Sequence, residues 1–101
     1  MPFIKVGAVS ALPPGSVTEA YVGDETYALC NLGGEIHALG GICPHAGGPI
    51  GQGALDGNLL VCPWHEWAYD CRTGENDGDP DVKVETFPVR IDGDDILIEV
   101  P

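Results

Sequence analysis

The segment from residue 43 to residue 65 reads CPHAGGPIGQGALDGNLLVCPWH. It begins with Cys43-Pro44-His45 and ends with Cys62-Pro63-Trp64-His65, and sixteen residues separate the two motifs. Each motif offers one thiolate and one imidazole, which are ligand types that transition metals bind well. Two such loops facing each other would form a four-ligand metal site from Cys43, His45, Cys62 and His65.

Three interpretations of these motifs are open at this point. Ordinary buried cysteines and surface histidines are one, although two matched motifs seldom arise by chance. A structural zinc site with two Cys and two His is the second, and it would make the chain a zinc-stabilised interaction module. Zinc fingers usually pair Cys with Cys and His with His, whereas each loop here is mixed. The third is an iron–sulfur centre in which two His replace two Cys on one iron.

The length and charge of the chain limit its function. With 101 residues, we expect a single domain spanning 1–101. Four basic and 16 acidic residues give a net charge of −12, which argues against binding to nucleic acid or to anionic membranes. No apolar run is long enough to span a bilayer, and the first residues do not form a signal peptide, so we expect a cytoplasmic protein. Four cysteines in that compartment indicate metal ligation before disulfides.

Short alternating or β-branched runs, closed by Gly, Asn or Asp turns, predict an all-β domain. Helical periodicity is almost absent, and eight to ten short strands are typical of a small sandwich or barrel. The turns are expected at Gly23-Asp24, Gly33-Gly34, Asp56-Gly57, Thr73-Gly74 and Asp92-Gly93-Asp94. The predicted strands are 3–6, 17–22, 26–31, 35–39, 58–61, 67–70, 82–91 (disturbed at Pro88) and 96–100.

Two segments lack the alternating pattern of the predicted strands, and we expect both to be loops. The loop at residues 40–53 contains six Gly and two Pro, and it carries the first ligand motif. Long loops in a compact domain are usually functional or disordered, and the ligand residues favour function here. The acidic loop at residues 75–81 does not match a calcium-binding EF-hand, because Val82 and Pro88 occupy the required Gly and Glu positions. We therefore expect a solvated loop.

Several residues outside the motifs have simpler explanations. Cys30 and Cys71 are expected to be buried as small hydrophobic residues. His37 is expected to be a solvent-facing strand residue. Trp64 and Trp67 flank His65, and we expect them to shield the metal site and to fill the core beneath it. Recognition of a partner is the alternative role for an exposed Trp64.

The paired motifs resemble the Rieske [2Fe-2S] motif, C-x-H followed by C-x-x-H. Residues 67–74 and 86–90 are also similar to segments of the soluble Rieske ferredoxins of bacterial aromatic-ring dioxygenase systems. The resemblance implies a Rieske domain, with an antiparallel sandwich or barrel base and a small cluster-binding subdomain at roughly residues 40–75. It further implies one Rieske-type [2Fe-2S] cluster per chain, with Cys43 and Cys62 on one iron and His45 and His65 on the other.

The same resemblance implies a function. The chain would be a one-electron carrier, passing electrons from an NAD(P)H-dependent flavoprotein reductase to a terminal oxygenase, and it would be a monomer. It would not catalyse substrate chemistry, because a mononuclear iron site needs ligands for which only His37 remains. The small Rieske-like subunit of an assimilatory nitrite reductase is the alternative within this family.

The sequence differs from the Rieske proteins of quinol-oxidising complexes at positions that affect the reduction potential. Rieske proteins of quinol-oxidising complexes carry a further Cys in each loop, and these two form a disulfide; the matching positions here are Gly48 and Trp64. Those proteins also place a hydroxyl two residues after the second His, where this chain has Trp67. We therefore expect a carrier without that disulfide, with a reduction potential low in the Rieske range of about −150 to +300 mV.

Overall fold

A computed structural model describes residues 3–43, 47–64, 66–79 and 81–100. These residues form ten β-strands in three antiparallel sheets, which confirms the predicted all-β class. The strands are β1 (Phe3–Ala8), β2 (Val17–Val22), β3 (Glu25–Leu32), β4 (Glu35–Gly40), β5 (Ala54–Asp56), β6 (Leu59–Val61), β7 (Ala68–Asp70), β8 (Thr86–Phe87), β9 (Val89–Asp92) and β10 (Asp95–Glu99). Two short 3-10 turns lie at Val9–Ala11 and Ile50–Gln52.

Four of the predicted turns join paired strands, namely those at Gly23-Asp24, Gly33-Gly34, Asp56-Gly57 and Asp92-Gly93-Asp94. The predicted turn at Thr73-Gly74 follows β7 and joins no pair of the described strands. The strand orders are β1-β10-β9, β2-β3-β4-β8 and β5-β6-β7. Between β3 and β4, Leu32 pairs with Glu35, so Gly33 and Gly34 alone make the turn. Both glycines have positive φ, 63° and 106°, which a two-residue hairpin of this hand requires. The Gly33-Gly34 dipeptide in the sequence therefore fixes the register of the central hairpin.

Strand β3 is buried on both of its faces, and it separates two hydrophobic cores. Because successive side chains point to opposite faces, Ala28 and Cys30 enter one core while Tyr27 and Leu29 enter the other. The first core joins β3 and β4 to β6 and β7, and its buried members are Ala28, Cys30, Leu39, Cys43, Ile50, Leu60, Cys62, Tyr69, Cys71 and Val84. The second core joins β3 to β10. All four cysteines therefore lie in the first core.

The structure corrects the predicted strand at residues 82–91. Only Thr86–Phe87 and Val89–Asp92 are strands, and Pro88, which has no N–H to donate, separates them. Upstream, the Val84 N–H donates to the Gly74 carbonyl and the Gly40 N–H donates to the Glu85 carbonyl. The alternating pattern of residues 82–85 thus reflects contacts with the loop after β7 and with the last residue of β4, and not a continuous strand ladder.

The remaining boundaries differ modestly from the prediction. Strand β5 was not predicted, because its three residues give too short a pattern to recognise. Strand β1 runs two residues further than expected, to Ala8, and a bulge between Lys5 and Gly7 interrupts its pairing. In the described part of the chain, no helix has the length and apolar character needed to cross a membrane.

Candidate metal centre

Cys43 lies at the start of a tight loop that follows β4. Its N–H donates to the Gly48 carbonyl at 2.8 Å, and the Gly47 N–H donates to the Cys43 carbonyl at 2.8 Å. These two hydrogen bonds tie the loop together at its ends, and the Cys43 side chain is buried in the first core. His45, the second predicted ligand of this motif, lies outside the described residues.

Cys62 follows β6 directly, and a second turn holds it. Its N–H donates to the Trp67 carbonyl at 2.7 Å, and the residue is fully buried. Within this turn Glu66 has a φ of 57°, the left-handed conformation that L-residues seldom adopt. It is the one non-glycine with positive φ among the described residues. His65 also lies outside the described residues.

The thiols of Cys43 and Cys62 interact with each other in this core. Burial raises the pKa of the Cys62 thiol, the Trp64 backbone N–H that it accepts lowers the pKa, and the neighbouring Cys43 thiol raises it again. Two buried sulfurs side by side, with a backbone N–H aimed at one of them, suit two thiolates on one metal ion, because the ion supplies the compensating positive charge.

Tyr69 is a functional residue that the sequence analysis missed. Its hydroxyl lies 3.0 Å from the Cys43 sulfur, and the tyrosine is fully buried in the same core. Burial, followed by the Cys43 sulfur, raises the pKa of Tyr69, so the phenol stays protonated and donates to a thiolate. The signal available in the sequence was a tyrosine in the strand after the second motif, since a buried tyrosine hydroxyl usually needs a partner.

Gly48 links the two cysteine loops. Its carbonyl accepts the Cys43 N–H, while a Cβ added at Gly48 would lie 2.9 Å from the Cys62 sulfur and 2.9 Å from Trp64 side-chain carbons. A side chain at this position would therefore occupy space beside the sulfur. Gly48 and Trp64 stand where Rieske proteins of quinol-oxidising complexes carry their two further cysteines. They are neighbours in this structure, and none of the four cysteines of this chain forms a disulfide.

The other predicted residues are distributed as follows. Cys30 and Cys71 are fully buried, as expected. Trp67 packs against the first core, whereas Trp64 is 50% exposed. His37 lies in β4, but its side chain is only 21% exposed and its Nε2 is 2.6 Å from Glu35, so it faces solvent less than predicted.

The acidic loop is consistent with a solvated turn. The Asn76 side-chain oxygen accepts hydrogen bonds from the Gly78 and Asp79 N–H groups at 2.9 and 3.0 Å. Asp77, Gly78, Asp79 and Asp81 are all exposed, and Pro80 lies outside the described residues.

The described half of the site fits an iron–sulfur centre. It provides two buried sulfurs, hydrogen-bond donors from Tyr69 and the Trp64 backbone, and a glycine that leaves room beside one sulfur. Iron–sulfur clusters take thiolate ligands, and hydrogen bonds to sulfur adjust their potential.

Comparison with known proteins agrees with this chemistry. The family model for the Rieske [2Fe-2S] domain matches residues 2–88. The ferredoxin component of biphenyl 2,3-dioxygenase from Rhodococcus jostii (strain RHA1) is 34% identical, over 99% of this chain and 94% of that protein. The chain therefore belongs to the Rieske [2Fe-2S] domain family.

Solved structures define the class further. In a complex of reduced oxygenase and oxidised ferredoxin of carbazole 1,9a-dioxygenase, the matching chain has a TM-score of 0.85 and 28% identity, covering 95% of this chain and 91% of that one. A small subunit assigned to an NADH-dependent nitrite reductase from Mycobacterium tuberculosis has a TM-score of 0.88 and 25% identity, covering 99% and 96%. The protein is a ferredoxin-type electron carrier whose cofactor is a Rieske-type [2Fe-2S] cluster, and not a catalytic oxygenase subunit.

Proposed function

We propose that Cys43 and Cys62 bind one iron of the cluster and that His45 and His65 bind the other. The observation that carries this proposal is the contact between two buried sulfurs, each followed within three residues by a histidine. The residues around the second histidine, Trp64 and Glu66, are exposed. This arrangement favours a buried thiolate side and an outward imidazole side, through which an electron would enter and leave.

The cluster, when bound, supplies reversible storage of one electron. Two thiolates and two neutral imidazoles give the oxidised assembly a net charge of zero, because the thiolates and sulfides balance two ferric ions. The Tyr69 hydroxyl and the Trp64 backbone N–H, which are donors to the cysteine sulfurs, would stabilise the more negative, reduced state of the group. Burial of both cysteines keeps water away from the sulfurs.

The proposed electron path runs from an NAD(P)H-dependent flavoprotein reductase, through this chain, to a terminal oxygenase. The ferredoxin relative of a biphenyl dioxygenase and the ferredoxin–oxygenase complex support the oxygenase end of this path. We further propose one domain over residues 1–101, with a cluster-binding subdomain at roughly 40–75. We also propose that it acts as a monomer in the cytoplasm, where four cysteines without a disulfide are expected.

Ligand substitution tests the proposed site. Each of the variants Cys43→Ser, His45→Ala and His65→Ala should lose the Rieske-type absorption and EPR signals, because an iron would lose one of its two protein ligands. The matched controls are Cys30→Ala and His37→Ala, which alter a buried cysteine and a histidine outside the site. Those two variants should retain both signals, whereas a Cys43→Ser protein with an unchanged spectrum would refute the assignment.

Reconstitution tests the electron path. NADH, a flavoprotein reductase and the oxygenase of a biphenyl dioxygenase system should turn over only when this chain is present in its cluster-loaded form. Gel filtration of the cluster-loaded chain by itself, before it is mixed with the other proteins, should give the size of one chain.

One comparison favours a second candidate, which is the small subunit of a nitrite reductase. Such a subunit would remain bound to a large catalytic subunit through purification. A chain that purifies alone and shuttles electrons between separate proteins supports the ferredoxin function instead.

A further inference from the structure

A groove of about 480 Å³ lies beside the Cys43 loop, outside the metal centre. It runs between the start of β3, the end of β4 and the segment that leads into β8. Backbone hydrogen bonds fix its walls, from the Gly41 N–H to the Thr26 carbonyl at 2.9 Å and from the Gly40 N–H to the Glu85 carbonyl at 2.8 Å. The groove is therefore a preformed feature of the fold.

The floor of the groove is apolar and rigid. Tyr27 is only 6% exposed and meets Phe87 edge to face, with ring centroids 5.0 Å apart. Buried Val84 also lines the groove. Such a floor suits the aliphatic part of a side chain, because contact there removes apolar surface from water.

The rim of the groove is charged. Glu25 and Glu85 are exposed, and both line the groove together with Tyr27. Burial raises the pKa of the Tyr27 hydroxyl, and the nearby carboxylates of Glu25 and then Glu85 raise it further. Lys83 is the one basic residue among the lining residues. The described rim is thus net negative, with two acidic groups and one basic group.

The groove also adjoins the candidate ligand loop. Ile42 lines it, is 53% exposed, and directly precedes Cys43. A protein seated in the groove would therefore touch the chain one residue before the first ligand motif, three residues in sequence from the proposed imidazole ligand His45.

We propose that this groove docks the electron-accepting partner protein through one lysine or arginine of that partner. The aliphatic stem of that side chain would lie on Ile42 and the apolar floor, and its charged head would lie between Glu25 and Glu85. Long basic side chains commonly bury their stems in this way while the head stays at a polar rim. This inference rests on the carrier function proposed above.

The negative charge of this chain favours a basic side chain of the partner as the group that binds in the groove. The chain has a net charge of −12 and only four basic residues, so a basic partner surface would be drawn to it over a distance. Rim charges of this kind act mainly on the rate of association and on its dependence on salt.

The test compares variants of the full, cluster-loaded chain. The groove variants are Glu25→Gln/Glu85→Gln, which removes the two acids, and Lys83→Gln, which removes the repelling base. The control is Asp56→Asn/Asp92→Asn, which removes two exposed acids outside the groove and so changes net charge equally. Unchanged absorption and potential show that each variant is folded and loaded. The probe is mitochondrial cytochrome c, a lysine-rich electron acceptor, mixed with reduced protein in a stopped-flow instrument.

We expect the double glutamine variant to reduce cytochrome c about five- to tenfold more slowly at low ionic strength, and Lys83→Gln to react about twofold faster. Both differences should disappear at high salt, and the aspartate control should stay close to the wild type. Equal slowing by the control, or no change in the groove variants, would overturn the docking site while leaving the carrier function intact. A wild-type protein that cannot reduce cytochrome c at all would instead overturn the carrier function, and the docking site with it.

Discussion

At the scale of single residues, the hydrogen bond from Tyr69 to the Cys43 sulfur adjusts the electron affinity of the site. A donor to sulfur interacts more strongly with the reduced, more negative state, so it raises the potential. Trp67 provides no hydroxyl, as expected, but Tyr69 provides a donor that the sequence analysis had not counted. The acidic surface opposes reduction only weakly, because salt screens distant charges.

The Tyr69→Phe variant should therefore have a lower potential than the wild type. A difference of about 1 kcal/mol in this hydrogen bond between the two redox states corresponds to a fall of roughly 40 mV for one electron. Protein-film voltammetry measures the shift, with Tyr21→Phe as a control, because Tyr21 is exposed and bonds only to Glu19 in the described structure. An unchanged or higher potential in Tyr69→Phe would show that this hydroxyl does not act on the cluster.

A second residue-scale prediction concerns Gly48. In Gly48→Ala the new methyl group would lie 2.9 Å from the Cys62 sulfur, so the sulfur or Trp64 must move. Overpacking of this kind costs about 1–3 kcal/mol. We expect less iron and sulfide per chain, measured after anaerobic purification. The control is Gly78→Ala, whose methyl group would have its nearest neighbour at 3.6 Å. If Gly48→Ala held as much iron and sulfide per chain as the wild type, the loop would accommodate a methyl group and the prediction would be wrong.

At the scale of elements, the turn between β6 and β7 carries backbone strain at Glu66, whose φ is 57°. Strained residues of this kind persist where the surrounding structure imposes them. The contact that imposes this conformation is the hydrogen bond from the Cys62 N–H to the Trp67 carbonyl, which ties the end of β6 to the start of β7.

Glycine at this position should relieve the strain. We expect Glu66→Gly to be more stable by about 0.5–1 kcal/mol, since the loss of strain exceeds the added freedom of the unfolded chain. The measurement is the rate at which the cluster absorption bleaches at elevated temperature, which should fall. Glu75→Gly is the control, because Glu75 has no positive φ, and it should bleach no more slowly than the wild type. Faster bleaching in Glu66→Gly would contradict the strain.

The elements also show what a sequence can reveal. The Gly33-Gly34 hairpin and both cysteine motifs were predictable, because turn chemistry and ligand spacing are local. The strand predicted at 82–91 is wrong over residues 82–85, because the Val84 N–H donates to the Gly74 carbonyl and the Glu85 carbonyl accepts from Gly40 at the end of β4. Tyr69 was missed for the same reason, since its partner lies 26 residues away and only the fold brings them together.

At the scale of the whole molecule, the two cores depend on the metal to different degrees. The core between β3 and β10 consists of aliphatic and aromatic side chains, whereas the other contains all four cysteines. Of the described residues in the range 40–53, Cys43 and Ile50 enter that core, whereas Ile42 is exposed, so apolar packing alone holds this loop weakly.

Removal of the metal should therefore destabilise the protein, mainly in the core that contains the four cysteines. We expect the thermal midpoint to fall by about 10–20 °C, because metal–ligand bonds contribute several kcal/mol to folding. Hydrogen exchange should show lost protection at Cys43, Gly47 and Cys62, while the amides of β10 remain protected. An unchanged midpoint after chelation would show that packing orders the ligand loops.

The central claim is that this chain carries one electron on a cluster with two thiolate and two imidazole ligands. An EPR-monitored redox titration of the cluster-loaded protein tests it most directly. We predict a Rieske-type signal that appears with the uptake of one electron, at a negative potential in the lower part of the range of about −150 to +300 mV. No signal on reduction, or a midpoint near the roughly −400 mV of plant-type clusters with four cysteine ligands, would contradict it.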